Sequence, residues 1–477
     1  MGKTKKTGKP PRPKASPAAL NLNATLGAAS QHYGAGRLRQ AGILYDQVLQ
    51  VKPNHPDALL NLGIIVHQLG NTTAGIQLMA QATLADPGFS EAHYTLARVL
   101  EDIEGREQEA IAGYRRAITL KPTYAEAYTG LGYVLEQQAR FTDALECYGQ
   151  ALRLNPNCAQ THFNRAWLWL LTGQFKLGWA EYEWRWLTPS MSGGRRSFPQ
   201  PVWNGSSLTG KTILVHAEQG FGDTLQFIRY APSLRVGGAR VIVECFAPLK
   251  RLFALCEGID ELLVQGESLP DFDVHAPLMS LPRLLDTEPA TIPDRIPYLQ
   301  APQTCHLPPG LQAALGTPTP ARKVGLVWSP KLQVPMDYKR YCPLVHFEPV
   351  LGVPGVSFFS LYKGERVQEL ASYQERVFDV GSHCTDFADT AWAIAQLDLV
   401  ITVDTAVAHL AGALGKPTWV LLPFVPDWRW LLEREDSPWY PTARLFRQPY
   451  RGAWAPVLEQ VAASLRQYLL PSTPDPA

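Results

Sequence analysis

The chain has 477 residues, 46% hydrophobic and 18% charged; at roughly 150 residues per domain it holds about three folding units with sizeable cores, which excludes wholesale disorder. Lysine and arginine number 44 against 43 acids, a net +1 that excludes a nucleic-acid polycation. The longest apolar run, Ile401–Phe424, is broken by Asp404, His409 and Lys416, and the seven cysteines form no C-x-x-C pair, so a membrane helix, a disulfide scaffold and a zinc ribbon are all unexpected and a reducing cytoplasm is the expected location.

The first 17 residues carry Lys3, Lys5, Lys6, Lys9, Arg12 and Lys14 and no acid. They lack the apolar core of a secretory signal, and Lys6 stands where a myristoylation pattern needs Ser or Thr. A disordered basic tail is expected over 1–20, solvated or touching an acidic partner.

Prolines then recur at Pro53, Pro87, Pro122 and Pro156, at spacings of 34, 35 and 34. Each closes a similar phrase after a helical apolar pattern. Within the repeat, Leu62-Gly63, Leu96-Ala97 and Leu131-Gly132 correspond. So do Tyr45, Met79, Tyr114 and Tyr148, and then Val48, Ala82, Ala117 and Ala151. Small residues let two helices approach, large ones fill the space beside them, and proline cannot continue a helix. This pattern resembles the tetratricopeptide repeat. The resemblance implies an α-solenoid over 21–186, with four regular copies and an atypical fifth. A protein or peptide partner is expected on its concave face. The aromatic cluster Gly178-Trp179 with Glu181–Trp186 is expected to dock onto the following domain.

A Pro-, Ser- and Gly-rich linker is expected over 187–211. Beyond it, short apolar strands alternate with helices, the mark of parallel α/β sheets. Strands are expected at Thr212–His216, Arg240–Glu244, Leu262–Gln265, Asp273–His275, Lys323–Trp328, Val356–Ser360, Leu397–Val403 and Pro417–Leu422. A linker at 301–321 divides the region into halves of 212–300 and 322–470. Gly205–Thr212 fits the pattern G-x-x-x-x-G-K-[ST], but a strand follows it where a P-loop needs a helix, so ATP binding there is not expected.

Three segments carry candidate chemistry. In the first, Glu218, Gln219, Gly220, Gly222, Asp223 and Gln226 lie between a strand and a helix, where glycines admit a ligand close to backbone. Asp223 reads equally as a helix cap. In the second, Asp404, Thr405, Ala406 and His409 open a small-residue helix whose amides suit a phosphate. In the third, Asp427-Trp428-Arg429-Trp430, Ser437–Pro441 and Arg444–Gln448 combine aromatics with arginines. That composition suits stacking on a base or sugar, or a hydrophobic plug closing the domain.

Together these segments resemble bacterial tetratricopeptide-repeat glycosyltransferases, whose C-terminal part is similar to heptosyltransferase-type (family 9) GT-B enzymes and to flagellin glycosyltransferases of repeat-plus-transferase type. The resemblance implies a solenoid followed by a GT-B-like pair of Rossmann-type halves, the second binding the donor. It implies Asp223 as general base and a donor pocket of Ser329, Lys331, Lys363, Asp404, Thr405, Ala406, His409 and Arg429. Glu218, Gln219, Gly220, Gly222 and Gln226 would line the acceptor side. A nucleotide-sugar co-substrate is implied, with no metal, no cofactor and no nucleic acid. The sequence departs from the family after the strand ending at Trp328, where a histidine is replaced by the loop Ser329–Arg340, and again at Tyr362. A protein-binding scaffold with a degenerate transferase domain, or a transferase acting on an envelope glycan, are the competing expectations.

Overall fold

The computed structural model describes residues 21–331 and 335–470. The basic tail expected over 1–20 lies outside them. Contacts divide the chain into two compact units. The first runs through Leu135 and includes Thr142–Pro156; the second takes in Glu136–Phe141 and everything from Asn157 onward.

In the first unit, helices pair as α1 (Leu22–Gly34) with α2 (Leu38–Val51), α3 (Pro56–Gln68) with α4 (Thr72–Ala85), and α5 (Ser90–Leu100) with α6 (Glu107–Leu120). They continue as α7 (Ala125–Gln137) and α8 (Phe141–Leu154). The repeat prolines stand two residues past α2, α4, α6 and α8. Tyr45, Met79, Tyr114 and Tyr148 are all buried, as are Val48, Ala82, Ala117 and Ala151. The small positions are sterically required. A Cβ on Gly63 would meet Gly75 O at 2.9 Å, and one on Gly132 would meet Tyr148 Cε1 at 2.6 Å.

The second unit contains α9 (Ala159–Leu171) and α10 (Phe175–Tyr182), which pack on each other. The aromatic cluster docks on the α/β region as expected: Trp179 meets Trp428 edge-on at 5.1 Å between centroids, and Phe175 stacks on Trp439 at 6.0 Å.

Two parallel sheets follow. The four-stranded one has the order β3-β2-β1-β4, from β1 (Thr212–His216), β2 (Arg240–Cys245), β3 (Glu261–Val264) and β4 (Val274–Pro277). The six-stranded one has the order β10-β9-β8-β5-β6-β7. Its strands are β5 (Arg322–Val327), β6 (Val356–Ser360), β7 (Val377–Asp379), β8 (Leu399–Val403), β9 (Thr418–Leu422) and β10 (Ala443–Arg447). Nearly every residue of β1, β2, β5, β8 and β9 is buried, as sheets covered on both faces require.

Strand order reverses between β1 and β4 in the first sheet and between β5 and β8 in the second. Ligands of open α/β sheets bind at such reversal points, outside the carboxyl ends of the strands. Two sequence expectations change here. Arg444–Arg447 is the edge strand β10, paired with β9, rather than part of a ligand-facing loop. The linker is partly sheet-bound: Trp203 N–H donates to His275 O at 2.7 Å, and Trp203 is buried. The P-loop-like segment ends in β1 and opens no helix.

Candidate functional site

A cavity of about 510 Å³ lies where the β5 and β8 ends meet the loop after β1. Register sets this arrangement, since Val327 pairs with Thr402 and both chains leave the sheet on the same side. From the smaller half it receives Gly220, Phe221, Gly222 and Asp223. From the larger half come Ser329, Lys331, Lys363, Asp404, Thr405, Ala406, His409 and Arg429.

Asp223 stands in the first turn of α11 (Phe221–Phe227), where Gly220 N–H donates to its Oδ2 at 2.8 Å. Its Oδ1 accepts from Arg429 Nη2. Burial raises the Asp223 carboxyl above the ordinary aspartate range, and the Arg429 guanidinium opposes that rise. Arg429 donates also to Asp427 Oδ1 at 2.8 Å and to Gln226 Oε1 at 2.7 Å.

The helix Ala406–Ala413 starts at the cavity. Thr405 caps it, its hydroxyl accepting from Val407 N–H at 3.3 Å. A second helix, Phe387–Ala395, also starts here. Its cap Asp386 accepts from Ala388 and Asp389 N–H. Each start carries the partial positive charge of a helix N-terminus. Arg340 Nη1 donates to Asp404 O at 3.2 Å and lies 3.6 Å from its Oδ2. Lys363 donates to Cys384 O.

His409 forms a wall of the cavity. Its Nδ1 lies 3.0 Å from Tyr440 Oη, and its ring stacks on Trp430 at 5.5 Å. Burial first, and Arg429 second, push its pKa down to about 3, so the imidazole is neutral at physiological pH.

Every residue expected in the donor pocket lines this cavity, as do Asp223, Gly220 and Gly222. Glu218, Gln219 and Gln226 do not. Glu218 is a buried ion-pair partner of Arg185 at 2.9 Å, with side chains 1% and 0% exposed. Gln219 is within 3.4 Å of Tyr182 Oη, and Gln226 is buried against Arg429. Nor do the tryptophans offer a stacking surface. Trp428, Trp430 and Trp439 are all core residues, because the turn Trp428–Trp430 sends both rings inward and leaves Arg429 for the cavity. Sequence reading missed the Cys384–Phe387 wall. Its only signal was an Asp cap ahead of a small-residue helix. Among the described residues, no three His, Cys, Asp or Glu side chains cluster as a metal site would need, and no helix is long and apolar enough to cross a membrane.

The fold is a set of helical repeats followed by a parallel-sheet α/β region, and sequence comparison adds a glycosyltransferase-like segment. Residues 32–99, 103–139 and 125–158 match tetratricopeptide-repeat families. Residues 360–421, which span Lys363 and Asp404–His409, match glycosyltransferase family 9 (heptosyltransferase). Over 89% of its length the chain is 26% identical to Protein FlbA of Caulobacter vibrioides, covering 80% of that protein. It is 29% identical to the probable UDP-N-acetylglucosamine–peptide N-acetylglucosaminyltransferase SPINDLY of Hordeum vulgare, over 28% of this chain but only 15% of SPINDLY. A crystal structure of MamA matches 33% of the chain at 24% identity, with a TM-score of 0.30.

Proposed function

We propose that this chain transfers a sugar from a nucleotide-sugar donor to a hydroxyl acceptor, the Ser or Thr of a protein recruited by the repeats, with its two sheets working as a GT-B pair. The observation that carries this reading is the single cavity holding Asp223, the capped helix start at Thr405–Ala406 and the side chain of Lys331. Asp223 takes the acceptor proton as its oxygen bonds to the anomeric carbon. The bond from that carbon to the phosphate oxygen breaks on the opposite face, inverting the centre. The departing nucleotide phosphate gathers charge against the helix start and the cations of Lys331 and Lys363, so no metal is required. Asp404 and neutral His409 position donor groups. The repeats raise the local concentration of acceptor.

A thermal-shift panel of ADP-, UDP-, GDP- and CMP-sugars tests donor binding, since a ligand of the native state raises the melting temperature. One responding nucleotide class is expected. Asp223→Asn should then keep the shift and lose transfer; retained turnover would remove Asp223 as base. One observation favours a second reading, a binding scaffold: both carboxylate oxygens of Asp223 are already engaged. No shift with any donor would select it.

A further inference from the structure

The four-stranded sheet has its own reversal point, between β1 and β4. A cavity of about 400 Å³ opens there, and it shares no lining residue with the cleft around Asp223. His216 ends β1, and His275 lies on β4. The expected linker supplies the outer wall, with Arg195, Arg196 and Phe198, and Arg283 closes another side.

The polar groups at this cavity are incompletely matched. Arg196 is paired with buried Glu244, and Arg196 also lies over Phe198 at 4.7 Å. Arg283 lies 3.8 Å from Glu183, and its Nε finds no hydrogen-bond partner among the described residues. Glu183 is shared with Arg185 at 2.9 Å. Arg195 is exposed and has no hydrogen-bond or ion-pair partner among the described residues.

The histidines add a donor. His216 is 2% exposed, and its Nε2 lies 3.3 Å from His275 Nδ1. Its own Nδ1 is buried without a partner among the described residues. Such a buried orphan is destabilising unless a ligand satisfies it. Burial, together with the neighbouring histidine and arginines, keeps both imidazoles neutral. In the tautomer where His275 Nδ1–H donates to His216 Nε2, His216 Nδ1–H is left beside the cavity without a protein acceptor among the described residues.

We propose that this cavity binds the oxyanion of a small organic ligand, a carboxylate or a phosphoester, with His216 Nδ1–H as donor and Arg195 and Arg283 as charge partners. The volume lies at the lower end of small-molecule pockets, which run from about 300 to 1,000 Å³, and suits a body of monosaccharide size. The site is separate from the transfer cleft and does not depend on the function assigned to it.

The test is calorimetric titration of the full chain with glucuronate, glucose 6-phosphate and glucose. At least one of the two anions should bind, identifying the oxyanion, and neutral glucose should not. Arg195→Ala and Arg283→Ala should each weaken binding about tenfold or more, the size of a charge-assisted contact. His216→Leu should do the same, with circular dichroism showing the fold retained. Asp223→Asn should leave the titration unchanged. Absence of binding by both anions at millimolar concentration, equal binding of glucose, or loss in Asp223→Asn with retention in Arg195→Ala would each overturn the proposal.

Discussion

Arg429 donates to Asp223 across the cavity, tying the start of α11 to the turn that follows β9. The same guanidinium holds Asp427 and Gln226, so its geometry is set on three sides. The pair has an electrostatic consequence. Burial makes Asp223 harder to ionise, and Arg429 works against that.

A base works only when deprotonated, so turnover should fall as pH drops through the raised Asp223 pKa. Arg429→Gln removes the opposing charge and should move that acidic limb upward. The pH profile of kcat/KM for the two proteins measures it. An unmoved limb would mean that Arg429 does not set the ionisation of Asp223.

Gly222 allows α11 to lie against the helix Ala406–Ala413. A Cβ there would sit 2.9 Å from His409 Cδ2. The imidazole has little room to yield, being held by Tyr440 and Trp430. Gly222→Ala should destabilise by about 1–3 kcal/mol and displace Asp223 enough to lower turnover tenfold or more. Urea melts and initial rates on one preparation check both effects.

Thr405→Ala removes a helix cap, worth about 0.5–2 kcal/mol. Donor affinity should fall, because the amides of that start lose their orientation, while the melting temperature drops by only a few degrees. Equal donor affinity in the variant and the parent would take this helix start out of the binding site.

In the first unit, Tyr114 donates to Glu101, whose carboxyl burial pushes up to about 7. The folded form therefore holds a proton that the unfolded form gives up near 4.5. Stability contributed by this group is lost as pH rises between those values. Glu101→Gln should stabilise at pH 8 by on the order of 1 kcal/mol and change little at pH 4. Denaturant melts at the two pH values measure the difference.

Arg185→Met strands Glu218 in the core and should cost about 3–5 kcal/mol, whereas the Arg185→Met, Glu218→Leu pair should recover most of it. Calorimetric melts of the two variants separate the result from simple loss of packing.

Much of this protein was legible in the sequence because periodic patterns report local burial. The repeat prolines and the Gly63 and Tyr148 positions required close helix pairs. The apolar runs at Thr212–His216 and Leu399–Val403 required buried parallel strands. Gly220–Asp223 and Asp404–His409 were visible as loop-to-helix starts, and they do line one cavity. Composition could not show direction. Trp428, Trp430 and Arg429 are neighbours in the chain, yet the turn buries the rings and gives the guanidinium to the cleft. Glu218 and Asp223 belong to one motif, but Arg185 draws the first into the core. The cavity at His216 and Arg195 depends on residues brought together by the β1–β4 neighbourhood and by the linker's single bridge from Val202 to His275. Local pattern determines which segments fold and which faces they bury; strand order and register decide which distant side chains share a space.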